Sequence, residues 1–501
     1  MLTKVIVLAI YVGILFLIGI LASRRIKSMS DFYVGGKNMG FWAVAFSARA
    51  TGESGWLLIG LTGMGAIAGY SAYWVVLGEV LGVFVSWFFM AKLFKRRSDA
   101  FKSITIPDYL QSHFKSTTNT LRILSASVLS IFVVIYVSSQ IDATGIAFES
   151  LLGVNYYTGA LIGFFIVLIY IFIGGFVAAV WSDLFQGLLM FFGLVLLPIV
   201  VWYSMDHGQS ITSGLNAIDP ALTDIWGGNE DRWMNLFTIL GFSMIGLGFL
   251  GSPQVYVRFM SIKNEMEINK GRWVAIGFTL LTDAAAVTIG ILARVLYTEN
   301  GQDPEAVFGI GATDVLSVMT ENFLPHILVA IYIAIVLSAI MSTIDSLLII
   351  ASSAITRDFY QKIFHPEIRD DQLTKLSRVV TVIMAIVALG IAMTIAMVSP
   401  ERQVFWVIIF GWSGIAATFC PVIILTLFWK GYSEKGAIAS MVSGFISVVL
   451  FKFVFQNMDG VGAYFVALDV LAPSFLVAMI FGYIFSKIYP VEGVEIEGKE
   501  G

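Results

Sequence analysis

Thirteen apolar stretches dominate this chain, at about residues 2–22, 41–63, 71–94, 121–150, 157–181, 184–205, 233–256, 271–296, 324–356, 376–398, 403–429, 435–456 and 461–487. A helix of about 20 apolar residues crosses the hydrocarbon of a bilayer. Hydrocarbon offers no water to an unpaired backbone group, so such stretches are restricted to helices that satisfy their own amides. Composition agrees: 58% of the 501 residues are apolar and only 13% are charged, with a mean hydropathy of +0.87. The reading is an all-α polytopic protein of the cell membrane. A single transmembrane domain covers 1–490, and VEGVEIEGKEG, 491–501, is left as a short cytoplasmic tail that is too small to fold as an appended signalling module. The first stretch has no small-residue cleavage site and reads as a spanning helix, not as a removed signal.

Loop charge orients the stretches. Arg24, Arg25, Lys27 and Lys37 follow the first, Lys92, Lys95, Arg96, Arg97, Lys102 and Lys115 the third, and Lys263, Lys270 and Arg272 the seventh. Arg357, Lys362, Arg369 and Lys375 follow the ninth. Alternate connections carry Asp206, Asp219, Asp224, Glu230 and Asp231, or Asp303, Glu305, Asp314 and Glu321. Basic loops stay inside, so the N-terminus is expected outside and the C-terminus in the cytoplasm. Lysine and arginine confined to short loops leave no basic face for a nucleic acid. Cys420 is the only cysteine, and His113, His207, His326 and His365 are scattered singly, so no disulfide framework and no resident metal centre is expected.

Two stretches are interrupted. ATGESGWLLIG, residues 50–60, places a glutamate, hydroxyls and glycines inside a spanning segment, and GFSMIGLGFLGSP, residues 241–253, ends in glycines and a proline. Irregular backbone at membrane depth is tolerated where it lines an enclosed cavity. A pair of such breaks at corresponding positions of two repeats points to the binding site of a secondary transporter. The breaks lie five segments apart, so segments 2–6 and 7–11, about 41–205 and 233–429, would form two inverted five-helix repeats of the LeuT type. Close helix packing is the competing explanation of the glycines. Segment nine, SAIMSTIDSLLIIASSAIT, adds Ala339, Ser342 and Thr343, whose i, i+3, i+4 spacing puts them on one helix face. Two hydroxyls with carbonyls of Ala339 and of the broken segment two could hold a hard monovalent cation, although such hydroxyls often bond back to their own helix.

Ionisable residues at membrane depth are functional candidates by default. Here they are Arg49, Glu53, Glu79, Asp142, Asp183, Asp283 and Asp345. Arg49 and Glu53 are spaced to neutralise one another; alternatively Glu53, one turn from Ala50, coordinates the cation or carries a proton. Asp345 and Ser346 would extend the cation path inward. Glu79 and Asp283 receive no role from the sequence.

The stretches DFYVGGKNMG (31–40), SGWLLIGL (54–61), IPDYL (106–110), FIGGFVAAVWSDLFQG (172–187), GSPQVYVRFM (251–260) and SAIMSTIDSLLIIASSAITRDFY (338–360) resemble those of the sodium/solute symporters, in particular their sodium/proline branch. The resemblance runs in order along nearly the whole chain. It implies thirteen helices and a sodium site at Ala50, Glu53, Ala339, Ser342 and Thr343. It also implies a second cation site around Asp183, with Asp345 and Ser346 nearby, and a solute pocket at Thr51, Gly52, Ser54, Gly55, Tyr73, Trp74, Tyr136, Ile245, Gly246 and Phe249. The proline branch carries an aspartate at Gly52, a tryptophan at Ile245 and a tyrosine at Phe249, so this chain's pocket wall is reshaped. The expected activity is sodium-driven import, by alternating access, of a small organic solute such as proline or another amino acid. Proton coupling through Glu53, or a different solute such as a carboxylate, is the alternative. No enzyme constellation is present in the sequence, the partners are sodium, the solute and the bilayer, and a monomer is compatible with it.

Overall fold

Segments apolar around their whole circumference form helices that face either the bilayer or other helices, and the chain holds both kinds: Leu2–Ser23 keeps most of its apolar surface exposed, whereas the middle of His326–Ser353 is enclosed by neighbours. The computed structural model describes residues 2–24, 26, 28–205 and 210–491. Arg25, Lys27, Asp206, His207 and the tail beyond Val491 lie outside the described residues. The principal helices are α1 (Leu2–Ser23), α2 (Phe41–Gly55), α3 (Thr62–Ala68), α4 (Tyr73–Val85), α5 (Thr120–Leu152), α6 (Tyr156–Ser204) and α7 (Arg232–Met244). They continue with α8 (Pro253–Ser261), α9 (Glu265–Tyr297), α10 (His326–Ser353), α11 (Asp370–Val398), α12 (Val404–Phe428), α13 (Glu434–Phe453) and α14 (Leu471–Ile488). Among the described residues there is no strand, only a single bridge between Met39 and Ile262. α10 is buried from Ala334 through Ser353 and packs on α1, α2, α5 and α6.

Eleven described stretches are long and apolar enough to cross a membrane, against the thirteen segments predicted. The difference has a physical cause. Segments two and three form one helical run, Phe41–Ala100, because the link between them is a 3₁₀ turn, Gly69–Ala72, and not a polar loop. The run nevertheless doubles back. Phe41 and Trp87 both approach Gly271 of α9, while Gly65 packs on Val287 and the Tyr73 hydroxyl bonds Thr288 Oγ1 at 2.9 Å. Gly69, at φ +58, makes the reversal.

α6 reverses in the same manner. An unbroken helix of its 49 residues would reach about 74 Å, more than twice the hydrocarbon thickness. It kinks at Gly175 (φ 54, ψ −159), which lies against Phe32, whereas Tyr156 at its start bonds Asp142 of α5 at 2.6 Å. Its first arm runs as helix from Tyr156 to this kink, so that the one segment is divided into two arms.

The charged loops segregate to the two ends. Lys37 meets Asp99, Arg96 meets Glu265 and Arg357 meets Asp108 at one end; Lys4 meets Glu321 and Gln403 meets Glu305 at the other.

Between these ends, α4 touches a second irregular segment, Ile245–Leu250, backbone to backbone. A Cβ on Gly246 would lie 1.9 Å from the carbonyl oxygen of Gly78, and one on Gly82 would lie 2.1 Å from that of Gly246. Two backbones cannot yield as a side chain can. Gly246→Ala is therefore expected to cost about 1–3 kcal/mol by overpacking, read as a lower apparent Tm in detergent; an unchanged Tm would contradict this contact.

Candidate functional site

α2 ends where the interrupted motif predicts. Ser54 adopts φ 46, ψ −167, a conformation nearly confined to glycine. Beyond it the helix resumes with a wide turn, Trp56–Leu61. Neighbours hold the kink: Gln140 Oε1 accepts the Gly55 amide at 3.0 Å, Tyr136 Oη donates to Ser54 Oγ at 3.4 Å, and the Trp56 indole donates to the Gly52 carbonyl at 3.1 Å. The other break, Ile245–Leu250, is 3₁₀ and ends at Gly251 and Pro253. Trp412 of α12 donates to the Ile245 carbonyl at 3.1 Å and packs on Phe249, with ring centroids 5.0 Å apart. An indole thus reaches this break although position 245 is isoleucine.

α10 crosses α2 just before the kink. Ser342 Oγ lies 3.0 Å from both the Ala50 and Ala339 carbonyl oxygens. Thr343 Oγ1 lies 3.0 Å from the Thr51 carbonyl and 3.2 Å from that of Ala339. Two hydroxyl protons therefore face three carbonyls, an excess of lone pairs that suits a hard monovalent cation. Ala50, Ala339, Ser342 and Thr343 are brought together. Glu53 is not: its carboxylate pairs with Arg49, and its carbonyl accepts the Trp56 amide. Thr51 stands at the crossing in its place, with its carbonyl facing Thr343 Oγ1.

The second predicted cation position contains an arginine. Asp183 Oδ2 accepts from Ser47 Oγ at 2.6 Å and from Arg258 Nη2 at 2.9 Å. Arg258 also bonds Ser346 Oγ and, through Nε, Ser47 Oγ at 2.8 Å. The Thr51 and Ser346 hydroxyls are 3.1 Å apart, which ties this network to the first site, and Asp345 accepts from Ser346 at 3.1 Å. The sequence reading overlooked Arg258 because it ended segment seven at residue 256, so an intramembrane charge passed for a loop residue.

The predicted solute residues divide. Ser54, Gly55, Tyr136, Ile245, Gly246 and Phe249 line the two breaks, and Phe249 covers both Gly52, where a Cβ would meet its ring at 2.7 Å, and the Arg49 guanidinium, 4.3 Å from the ring centroid. Thr51 faces the cation side. Tyr73 and Trp74 stand apart, because they open α4 next to the reversal at Gly69: Tyr73 bonds Thr288, and the Trp74 indole bonds the Ile225 carbonyl at 2.7 Å. Gln140 and Trp412 were missed, although a glutamine in an apolar helix was a usable signal.

The model of the sodium:solute symporter family matches residues 32–444. The high-affinity proline transporter PutP of Bacillus subtilis is 33% identical over 476 residues, covering 92% of this chain and 97% of that protein. A sodium/proline symporter of Staphylococcus aureus is 30% identical, covering 98% and 94%. Among solved structures, a Na+-coupled sialic acid symporter in its substrate-bound outward-open state superposes with a TM-score of 0.76 at 18% identity, over 97% of this chain and 98% of that one. MhsT in complex with L-phenylalanine superposes with a TM-score of 0.53 at 12% identity, over 89% and 98%. With two broken helices meeting at a cluster of oxygens and a family match over most of its length, the chain belongs to the sodium:solute symporter family.

Proposed function

We propose that this multi-pass membrane protein imports proline or a related amino acid on the inward sodium gradient. The observation that carries the reading is the crossing of α2 and α10, where Ser342 and Thr343 face the Ala50 and Thr51 carbonyls immediately before the kink. Sodium held by Ala50, Thr51, Ala339, Ser342 and Thr343 would fix the break in the shape that receives solute. Ser54, Gly55, Tyr136, Ile245, Gly246 and Phe249 would form the solute pocket. The pairing of Glu53 with Arg49 favours sodium over a proton carried by Glu53. The Arg258 guanidinium on Asp183 favours a single sodium, with arginine as the resident cation of the second position.

Two passes in Phe41–Ala100 and two in Tyr156–Ser204 give thirteen crossings in this reading. An odd count places the ends on opposite faces, with the basic loops in the cytoplasm. The repeats about 41–205 and 233–429 would gate about the shared site as inverted halves, and one copy contains every residue the reading needs.

The test is uptake of labelled proline into proteoliposomes under an inward sodium gradient, an inward proton gradient, or neither, with unlabelled amino acids and carboxylates as competitors. Accumulation is expected with sodium alone. Accumulation only on the proton gradient would overturn the coupling, and sodium-driven uptake of a carboxylate with no uptake of any amino acid would overturn the solute.

A further inference from the structure

Beside the kink lies a buried charge cluster that sodium binding does not use. Arg49 and Glu53 of α2, Glu79 of α4 and Asp283 of α9 are all at most 1% exposed. Arg49 contacts Glu53, and its Nη2 is 3.7 Å from Glu79 Oε2. Asp283 lies on α9, which packs against both α2 and α4. Three carboxyl groups and one guanidinium thus share the packing of α2, α4 and α9; ionised together they would carry an excess of two negative charges, which is costly in a buried position.

The cluster is also short of partners. Both Glu79 oxygens, Glu53 Oε2 and Asp283 Oδ2 accept no hydrogen bond, and Arg49 Nε and Nη1 donate none. Four acceptors and two donors therefore leave their hydrogen-bonding capacity unused, whereas buried polar atoms are almost always paired. Phe249, at the second break, lies over the same guanidinium, so the cluster borders the solute pocket. At the end of the molecule that carries the acidic loops, an open cleft of about 740 Å³ is lined by Glu149, Asp314 and Glu321. Its arginine, Arg402, is committed to Asp142, and Glu321 is paired with Lys4, which leaves Glu149 and Asp314 as the acids without an ion pair among the described residues. Such a mouth concentrates cations.

We propose that Glu79 and Asp283, with the free oxygen of Glu53, bind a positively charged nitrogen of the solute, so that the preferred solute carries net positive charge. The proposal rests on reading the breaks as the solute site. An N–H-bearing cation can satisfy several of the four open acceptors at once, while the free donors of Arg49 take a carboxylate. A zwitterion leaves the charge excess unchanged and a carboxylate raises it; a basic amino acid or an amine lowers it. A bare sodium ion satisfies no donor and would sit close to the guanidinium.

The experiment measures sodium-driven uptake of labelled lysine and labelled proline in proteoliposomes, each against unlabelled arginine, agmatine, lysine and proline. The wild type is compared with Glu79→Gln and with Asp283→Asn, and apparent Tm confirms that each variant is folded. Expected is inhibition by the basic compounds at lower concentration than by proline. Each folded variant should lose about 30-fold or more in apparent affinity for lysine, the loss that follows removal of a buried ionic partner, with half-saturating sodium, measured at saturating lysine, unchanged. If a variant does not fold, competition in the wild type alone decides. Sodium-driven proline uptake that lysine, arginine and agmatine fail to inhibit would overturn the cationic-solute inference and leave the symport reading standing. A variant that changes sodium or pH dependence with solute preference intact would overturn it as well, by assigning the cluster to an inorganic cation or a proton. No sodium-driven uptake of any solute would overturn both.

Discussion

Ser342→Ala combined with Thr343→Ala is expected to raise the sodium concentration for half-maximal uptake by about 100-fold or more. Each hydroxyl is one of five oxygens gathered at the crossing of α2 and α10, and a hydrogen bond or contact to a charged group contributes about 1.5–3 kcal/mol. Losing both removes about 3 kcal/mol at the low end, and every 1.4 kcal/mol is tenfold. The hydroxyls also tie α10 to the last turn before the kink, at 3.0 Å from the carbonyls of Ala50 and Thr51. Sodium and solute affinities are reciprocally linked, so solute affinity measured at fixed sodium should fall as well. Sodium-dependent uptake, or sodium-induced protection of a probe near the kink, checks both. A double variant with wild-type sodium dependence would remove the site from this crossing.

Asp183→Asn is expected to destabilise the protein by about 3–5 kcal/mol, the cost of leaving a buried charge without its partner. Arg258 has no exposed surface and its other contacts are neutral: the hydroxyls of Ser47 and Ser346 and the Gln254 carbonyl. Combining Asp183→Asn with Arg258→Gln removes both charges together and should recover most of the loss, because exchanging both members of a buried pair is far less costly than removing one. Apparent Tm in detergent reads the series. If Asp183→Asn instead keeps its Tm and shifts sodium dependence, the aspartate holds an ion and the arginine is not its permanent counter-charge.

The sequence was most legible where a residue type is forced by hydrocarbon. Apolar length marked the spans, and loop charge marked the two ends, because both follow from solvation and need no tertiary detail. The break at 50–60 was legible for the same reason: a glutamate and clustered hydroxyls are costly at membrane depth unless an enclosed site uses them. The spacing of Ala339, Ser342 and Thr343 likewise placed three residues on one face, and that face meets α2. What could not be read was which backbone oxygen each hydroxyl would meet. Thr51 rather than Glu53 supplies it, because Arg49 draws the Glu53 side chain away and the Trp56 amide takes its carbonyl. Tyr73 and Trp74 lie close to the pocket residues in sequence but not in space, since the reversal at Gly69 sends them to the end of α4. That Glu79 and Asp283 fall on neighbouring helices depends on the packing of α4 against α9, which no local pattern encodes.

The two sharp kinks share one backbone conformation: Ser54 at φ 46, ψ −167 and Gly175 at φ 54, ψ −159. Glycine adopts it with little penalty, so the turn in α6 is a permanent corner that asks nothing of its surroundings. Serine pays on the order of 1–3 kcal/mol for the same angles and keeps them only while neighbours enforce them. Those neighbours, Tyr136 and Gln140, both belong to α5. The bend in α2 is therefore a latch and the bend in α6 is a corner. In the proposed transport cycle, a displacement of α5 would release the strain at Ser54 and shift the carbonyls that precede it, so that part of the work of releasing the ion would be stored in a single residue.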